Sequence, residues 1–139
     1  MAKKILIMGL PDSGKTTLAK LLAPMFNAVL LNEDEIRKEA NDFDYSEMGR
    51  SIQTNRMKRL ADEAIQNNRN VVADFECSTE HTREDLNADY IIYMDTIKES
   101  KLEPPSNFDF KVTHKDAQMF SFLIKQEILD KLKGLGPHD

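Results

Sequence analysis

The chain has 139 residues, 40% of them hydrophobic and 31% charged, with a formal net charge of -5. This describes one globular domain over residues 1–139 with enough chain for its own core. It excludes a membrane span, because no apolar run approaches the roughly 20 residues a span needs. The acidic balance argues against nucleic acid as a partner, since such binding is driven by phosphate neutralisation. It leaves room for a local basic pocket that takes one anionic small molecule. Cys77 is the single cysteine, so no intrachain disulfide forms and no cysteine-built metal site fits. The opening Met1-Ala2-Lys3-Lys4 and its short apolar run do not make a signal peptide. A reducing, cytoplasmic compartment is the expectation.

The predicted elements follow in order. Residues 4–8 form a buried strand closed by Gly9. Leu18, Leu21, Leu22 and Met25 mark a helix over residues 15–26, limited by Pro24. Residues 28–31 form a second strand, and Asn32 or Asp34 caps a short charged helix through Ala40. After a loop at 41–45, Ser46 opens a long helix to about Asn67, with Ile52, Leu60, Ala61, Ala64 and Ile65 as its apolar side. Residues 71–75 form the third strand, and Ser78 or Thr79 caps a helix to about Leu86. Tyr90 to Met94 is the fourth strand. Residues 95–107, with Pro104-Pro105, read as a loop, and Phe108 to Thr113 as a fifth strand. The last helix runs from Asp116 to Lys133, with Phe120, Leu123, Ile124, Ile128, Leu129 and Leu132 buried. Gly134 and Gly136-Pro137 end it. Strands alternating with helices predict an α/β fold with a parallel sheet covered on both faces.

Gly9-Leu10-Pro11-Asp12-Ser13-Gly14-Lys15-Thr16 fits the P-loop pattern of glycine, four residues, glycine, lysine, then serine or threonine. Its context is the required one, a buried strand before and an amphipathic helix after. The glycines let successive amides face phosphates, and the helix aims its positive end at the same anion. Lys15 is expected to reach the β- and γ-phosphates, and Thr16 to hold Mg2+. With Thr17, these residues form the expected ATP-binding set. The fold expectation becomes a three-layer P-loop NTPase arrangement around five parallel strands.

The ends of neighbouring strands in such a sheet converge on one crevice. Asn32-Glu33-Asp34-Glu35-Ile36-Arg37 follows the second strand there. Asp34 is placed to accept an acceptor hydroxyl proton, and Arg37 to bind an anionic acceptor group. The same run also reads as an acidic helix start. Arg50, Gln53 and Arg56 share one helix face, suited to a phosphate or sulfate and a sugar or base edge, or equally to a solvated basic face. Asp74 ends the third strand, either to hold Mg2+ through water or to cap the next turn. Phe75 is either a base-stacking ring or ordinary core. His81, His114 and His138 suggest no ligand set.

The order and spacing of the P-loop, Asp34-Glu35-Ile36-Arg37, Phe43-Asp44-Tyr45-Ser46, Arg50, Gln53, Arg56 and Ala73-Asp74-Phe75 resemble adenylylsulfate kinase. The likeness covers about the first 85 residues and resumes at Pro104-Pro105 and Phe108 to Thr113. It implies ATP- and Mg2+-dependent phosphorylation of the 3′-hydroxyl of adenosine 5′-phosphosulfate, in sulfate assimilation. It places Asp34 at the catalytic acidic position and Arg37 at a substrate-binding arginine. Arg50, Gln53 and Arg56 would lie near the adenylylsulfate, and Phe75 would pack on its adenine. Against the family pattern, Asp95 to Glu103 is a shortened lid segment, Asp12 replaces a small residue, and Glu76-Cys77-Ser78 replaces a more apolar stretch. Other acceptors stay open: a polynucleotide 5′-hydroxyl, a sugar, or a nucleotide derivative. So does a nucleotide-binding relative without turnover. The sequence leaves open a homodimer and the choice of ATP or GTP.

Overall fold

Alternation along the first strand divides the molecule into two cores. The computed structural model describes residues 1–97 and 104–134. Strand β1 (Lys4–Met8) is buried at every position. Ile5 and Ile7 face one core and Leu6 and Met8 the other, the period-two consequence of a pleated strand buried on both sides. The chain continues through α1 (Lys15–Met25), β2 (Val29–Asn32), α2 (Glu33–Ala40), α3 (Glu47–Gln66) and β3 (Val71–Asp74). It ends with α4 (Glu80–Leu86), β4 (Tyr90–Met94), β5 (Phe110–Val112) and α5 (Ala117–Leu132).

The five strands lie in the order β2-β3-β1-β4-β5, and every pair is parallel. Helices α1 and α5 cover one face, where Leu18, Leu22, Phe120, Ile124 and Ile128 meet Ile5, Ile7, Val72 and Ile92. On the other face Ile36, Met57, Ala61 and Leu86 from α2, α3 and α4 meet Leu6, Met8, Leu31 and Ala73. This is the three-layer P-loop NTPase arrangement. Register carries the functional consequence: Asp74 sits opposite Ile7 of β1 on one side and Asn32 of β2 on the other. The carboxyl ends of β1, β2 and β3 therefore meet at one point.

Side chains cap most helix starts. Asn32 accepts from the Glu35 amide at 2.9 Å, Ser46 from the Gly49 amide at 3.2 Å, and Asp116 from the Met119 amide at 3.2 Å. Thr79 and Thr82 form a reciprocal capping box. Helix α1 begins after Gly14 with no side-chain cap and no acidic residue in its first turn. No helix among the described residues is long and apolar enough to cross a membrane.

Some expectations from sequence need correction. Strand β5 begins at Phe110 rather than Phe108, because Asp109 turns its side chain back to accept from the Ile91 amide at 2.8 Å and closes the strand start. The buried stripe of α5 is narrower than its apolar pattern, with Leu123 and Leu132 exposed and Ser121 buried instead. Ile52 of α3 and Leu21 of α1 are also exposed, while Met57 is fully buried. Residues 98–103 of the expected loop at 95–107, including Lys98 and Lys101 of the segment that resembles a shortened lid, lie outside the described residues, as do Gly136-Pro137 and His138.

Candidate active site

One cleft of about 1370 Å³ opens at the carboxyl ends of the strands, the place where parallel α/β sheets bind ligands. The P-loop forms one wall. Gly9 is required there: a β-carbon on it would come within 2.8 Å of the Met94 side chain and 2.9 Å of Ser13 Oγ. Gly14 has φ 98° and Asp12 φ 65°, the left-handed region that glycine adopts freely and aspartate tolerates. Asp12 is exposed, so its carboxylate stays in water beside the anion cradle. The Thr96 hydroxyl donates to the Ser13 carbonyl at 2.8 Å and ties the loop to the segment after β4. Buried Ser13 Oγ has no hydrogen-bond partner.

Lys15 Nζ donates to the Leu10 carbonyl at 2.9 Å, folded onto the loop it would leave for a phosphate. Thr16 Oγ1 donates to Asp74 Oδ2 at 2.7 Å, and Asn32 Nδ2 donates to the same oxygen at 2.7 Å. Asp74 is 2% exposed. Its buried carboxylate is thus satisfied by two neutral donors at the junction of β1, β2 and β3. A hydroxyl and a carboxylate form the hard-oxygen set that suits Mg2+. The uncapped amides of α1 and the orphaned Ser13 hydroxyl fit a triphosphate in the same cradle.

A further part of the lining comes from α2 and the residues after it. Asp34 is exposed and lines the cleft. Arg37 lines it too but is 2% exposed. Its Nη1 donates to the Asp42 carbonyl at 3.1 Å and the Asp44 carbonyl at 3.2 Å, its guanidinium lies 4.3 Å from the Tyr45 ring centre, and its buried Nε has no partner. Arg50 is exposed on the cleft wall. Phe75 reaches the cleft with little surface, since it is 4% exposed and belongs to the core.

Gln53 and Arg56 stand outside the cleft lining. Gln53 is fully buried, and its Nε2 donates to the Glu33 carbonyl at 3.2 Å. Arg56 donates to Gln53 Oε1 and to Asp42 Oδ2, the latter at 3.0 Å. Both brace the start of α2 and the loop after it. Spacing alone does not show this, because one helix face can turn toward a neighbouring loop as readily as toward a cleft.

Glu33 is the residue that the sequence reading missed. It lines the cleft and accepts the Glu76 amide at 3.1 Å through Oε1. Burial raises its carboxyl above its ordinary value, against the opposing pull of the Glu76 amide and the charges of Lys15 and Arg37. Cys77 also lines the cleft, where burial pushes its thiol up to about 12. It is therefore protonated near neutrality and is no nucleophile.

A family model described as an AAA domain matches residues 5–88. Comparison with curated protein sequences finds no match. Several solved structures share the fold at low identity. An APS kinase from Mycobacterium tuberculosis in complex with AMPPNP and APS is 19% identical, with a TM-score of 0.75 over 95% of this chain and 98% of its own. A sugar kinase from Janibacter is 14% identical, with a TM-score of 0.67 over 96% and 95%. A shikimate kinase from Acinetobacter baumannii in complex with shikimate is 16% identical, with a TM-score of 0.58 over 96% and 94%. The family match covers more than half of the chain and takes in the phosphate loop, Asp34 and Asp74: the chain belongs to this AAA-domain family and carries a P-loop kinase-type fold.

Proposed function

We propose that this chain is an ATP-dependent kinase that transfers the γ-phosphoryl group to a hydroxyl of a small acceptor. One observation carries the reading: Lys15, Thr16, Asp74 and Asp34 line the same cleft. Lys15 would leave the Leu10 carbonyl and neutralise charge on the β- and γ-phosphates. The P-loop amides would hold the phosphate chain in line with the acceptor. Thr16 and Asp74 would hold Mg2+, which neutralises phosphate charge when bound. Asp34 would orient the acceptor hydroxyl and take its proton as the oxygen–phosphorus bond forms and the bond to the ADP oxygen breaks.

Adenosine 5′-phosphosulfate is the named acceptor, phosphorylated on its 3′-hydroxyl. The order of Asp34, Arg37, Arg50 and Phe75, with its resemblance to adenylylsulfate kinase, supports it. Arg50 supplies an exposed cation for the phosphosulfate, and Tyr45 an exposed ring beside Arg37. A second reading is a neutral sugar or polyol. It is favoured by the carboxylates of Glu33, Asp34, Glu47 and Glu76 on the cleft wall, and by Asp42, which engages both Arg37 and Arg56. Acceptor-dependent ADP release from Mg2+-ATP, with adenosine 5′-phosphosulfate and with neutral sugars in parallel, tests both. No stimulation by any acceptor would remove the kinase reading.

A further inference from the structure

Glu33 is held at both its backbone and its side chain. Its carbonyl accepts from Gln53 Nε2 of α3 at 3.2 Å, and Gln53 is itself fully buried. Its Oε1 accepts from the Glu76 amide, beyond the end of β3, at 3.1 Å. Two separate elements thus fix one carboxylate, the preorganisation a recognition group needs. The second carboxylate oxygen has no hydrogen-bond partner among the described residues, and the side chain lines the cleft. The nearby cations do not satisfy it: Lys15 donates to the Leu10 carbonyl, and Arg37 to Asp42 and Asp44.

That second oxygen is not among the buried unpaired polar atoms, so it is open to the cleft and free to accept from a ligand. Burial already disfavours the carboxylate's charge, and both Lys15 and Arg37 act on it electrostatically. Lys15 follows the phosphate loop and Arg37 lies one turn along α2 from Glu33, and all three line the cleft. Asp34, the residue after Glu33, lines the same cleft. With both carboxylates lining one cleft, a single molecule can offer a hydroxyl to each.

Resting on the kinase reading above, we infer that Glu33 accepts a hydrogen bond from a second hydroxyl of the acceptor, beside the one that is phosphorylated. The acceptor class is then a ribose-like or sugar diol and not an isolated alcohol. Both readings of the acceptor contain such compounds. A site built to bond a hydroxyl discriminates against the analogue that lacks it.

The test compares kcat/KM for adenosine 5′-phosphosulfate with that for its 2′-deoxy analogue, and for glucose with that for 2-deoxyglucose. The wild type is expected to favour the diol of whichever pair it uses by at least about 10²-fold. Glu33→Ala should cut that preference to below about 10-fold, chiefly by losing activity on the diol. Glu33→Gln, which keeps the shape and an oxygen for the Glu76 amide, should fall between them and serves as the folding control. Equal use of both members of a pair overturns the inference. So does a full preference in Glu33→Ala. No stimulation by any acceptor would remove the kinase reading and this inference with it; the two outcomes above leave acceptor-dependent transfer intact.

Discussion

Thr16 Oγ1 lies 2.7 Å from Asp74 Oδ2 across a sequence separation of 58. Parallel register creates this contact, because it sets Asp74 beside both β1 and β2. Asn32 holds the same oxygen. If the pair serves Mg2+, Asp74→Ala should weaken the apparent Mg2+ affinity by about 10–100-fold, the usual loss for an outer ligand. Titration of Mg2+ at fixed ATP measures it. Asn32→Ala should shift in the same direction by less, and an unchanged half-saturation in Asp74→Ala would leave Asp74 as a strand-end support alone.

Lys15 and Asp34 should separate binding from chemistry. Lys15→Ala is expected to abolish transfer. Asp34→Ala should keep ATP binding and lower kcat by about 10²–10⁴-fold, the usual size of a lost acid–base group. Calorimetry with ATP and single-turnover kinetics distinguish the two. Full turnover in Asp34→Ala would take that residue out of the mechanism.

Asp42 should be worth more to stability than a surface carboxylate. It contacts Arg37 and Arg56, and the Asp44 amide, then Arg56, holds its carboxyl below the ordinary 3.8. A lowered folded-state value stabilises above the unfolded value, and the gain is lost as pH falls through the folded one. Asp42→Ala should therefore melt earlier than the wild type at pH 7. The gap should close below about pH 3.8 as Asp42 protonates. A gap that persists undiminished in acid would assign the effect to packing.

Glu33 carries the opposite sign. Its folded-state value is raised above the ordinary 4.5, so its ionisation destabilises the free protein once the pH exceeds that unfolded value. Glu33→Gln should raise Tm at pH 7 by a few degrees at most, and the gain should vanish below about pH 4.5. Thermal scans across pH read this directly. A lower Tm at pH 7 would show that Glu33 stabilises the fold instead of serving a ligand at a cost to it.

Cys77 is 2% exposed, with its thiol pushed up to about 12. An aromatic disulfide reagent should leave it intact in the native state and react once denaturant opens the core. Stoichiometric labelling of native protein within minutes would contradict this burial.

The fold was largely legible because its signals are local. The apolar run at 4–8, the caps at Asn32, Ser46 and Thr79, and the P-loop each act over a few residues. Acidic and basic side chains were harder to assign, because their roles depend on the partner across the fold. Gln53 and Arg56 share a helix face with Arg50, yet only Arg50 lines the cleft. Glu33 read as one more acidic residue at a helix start until β3 brought the Glu76 amide to it. Leu123, Leu132 and Ile52 followed the apolar period but stand in solvent. Periodicity marks a stripe on a helix and does not tell how wide the covering layer is.

Acceptor-dependent ADP release tests the central claim most directly. Purified protein would receive Mg2+-ATP with and without adenosine 5′-phosphosulfate, beside its Lys15→Ala variant. The account predicts strong stimulation in the wild type and none in Lys15→Ala. ATP binding with no stimulation by this acceptor or by neutral sugars would contradict it and leave a nucleotide-binding fold without transfer.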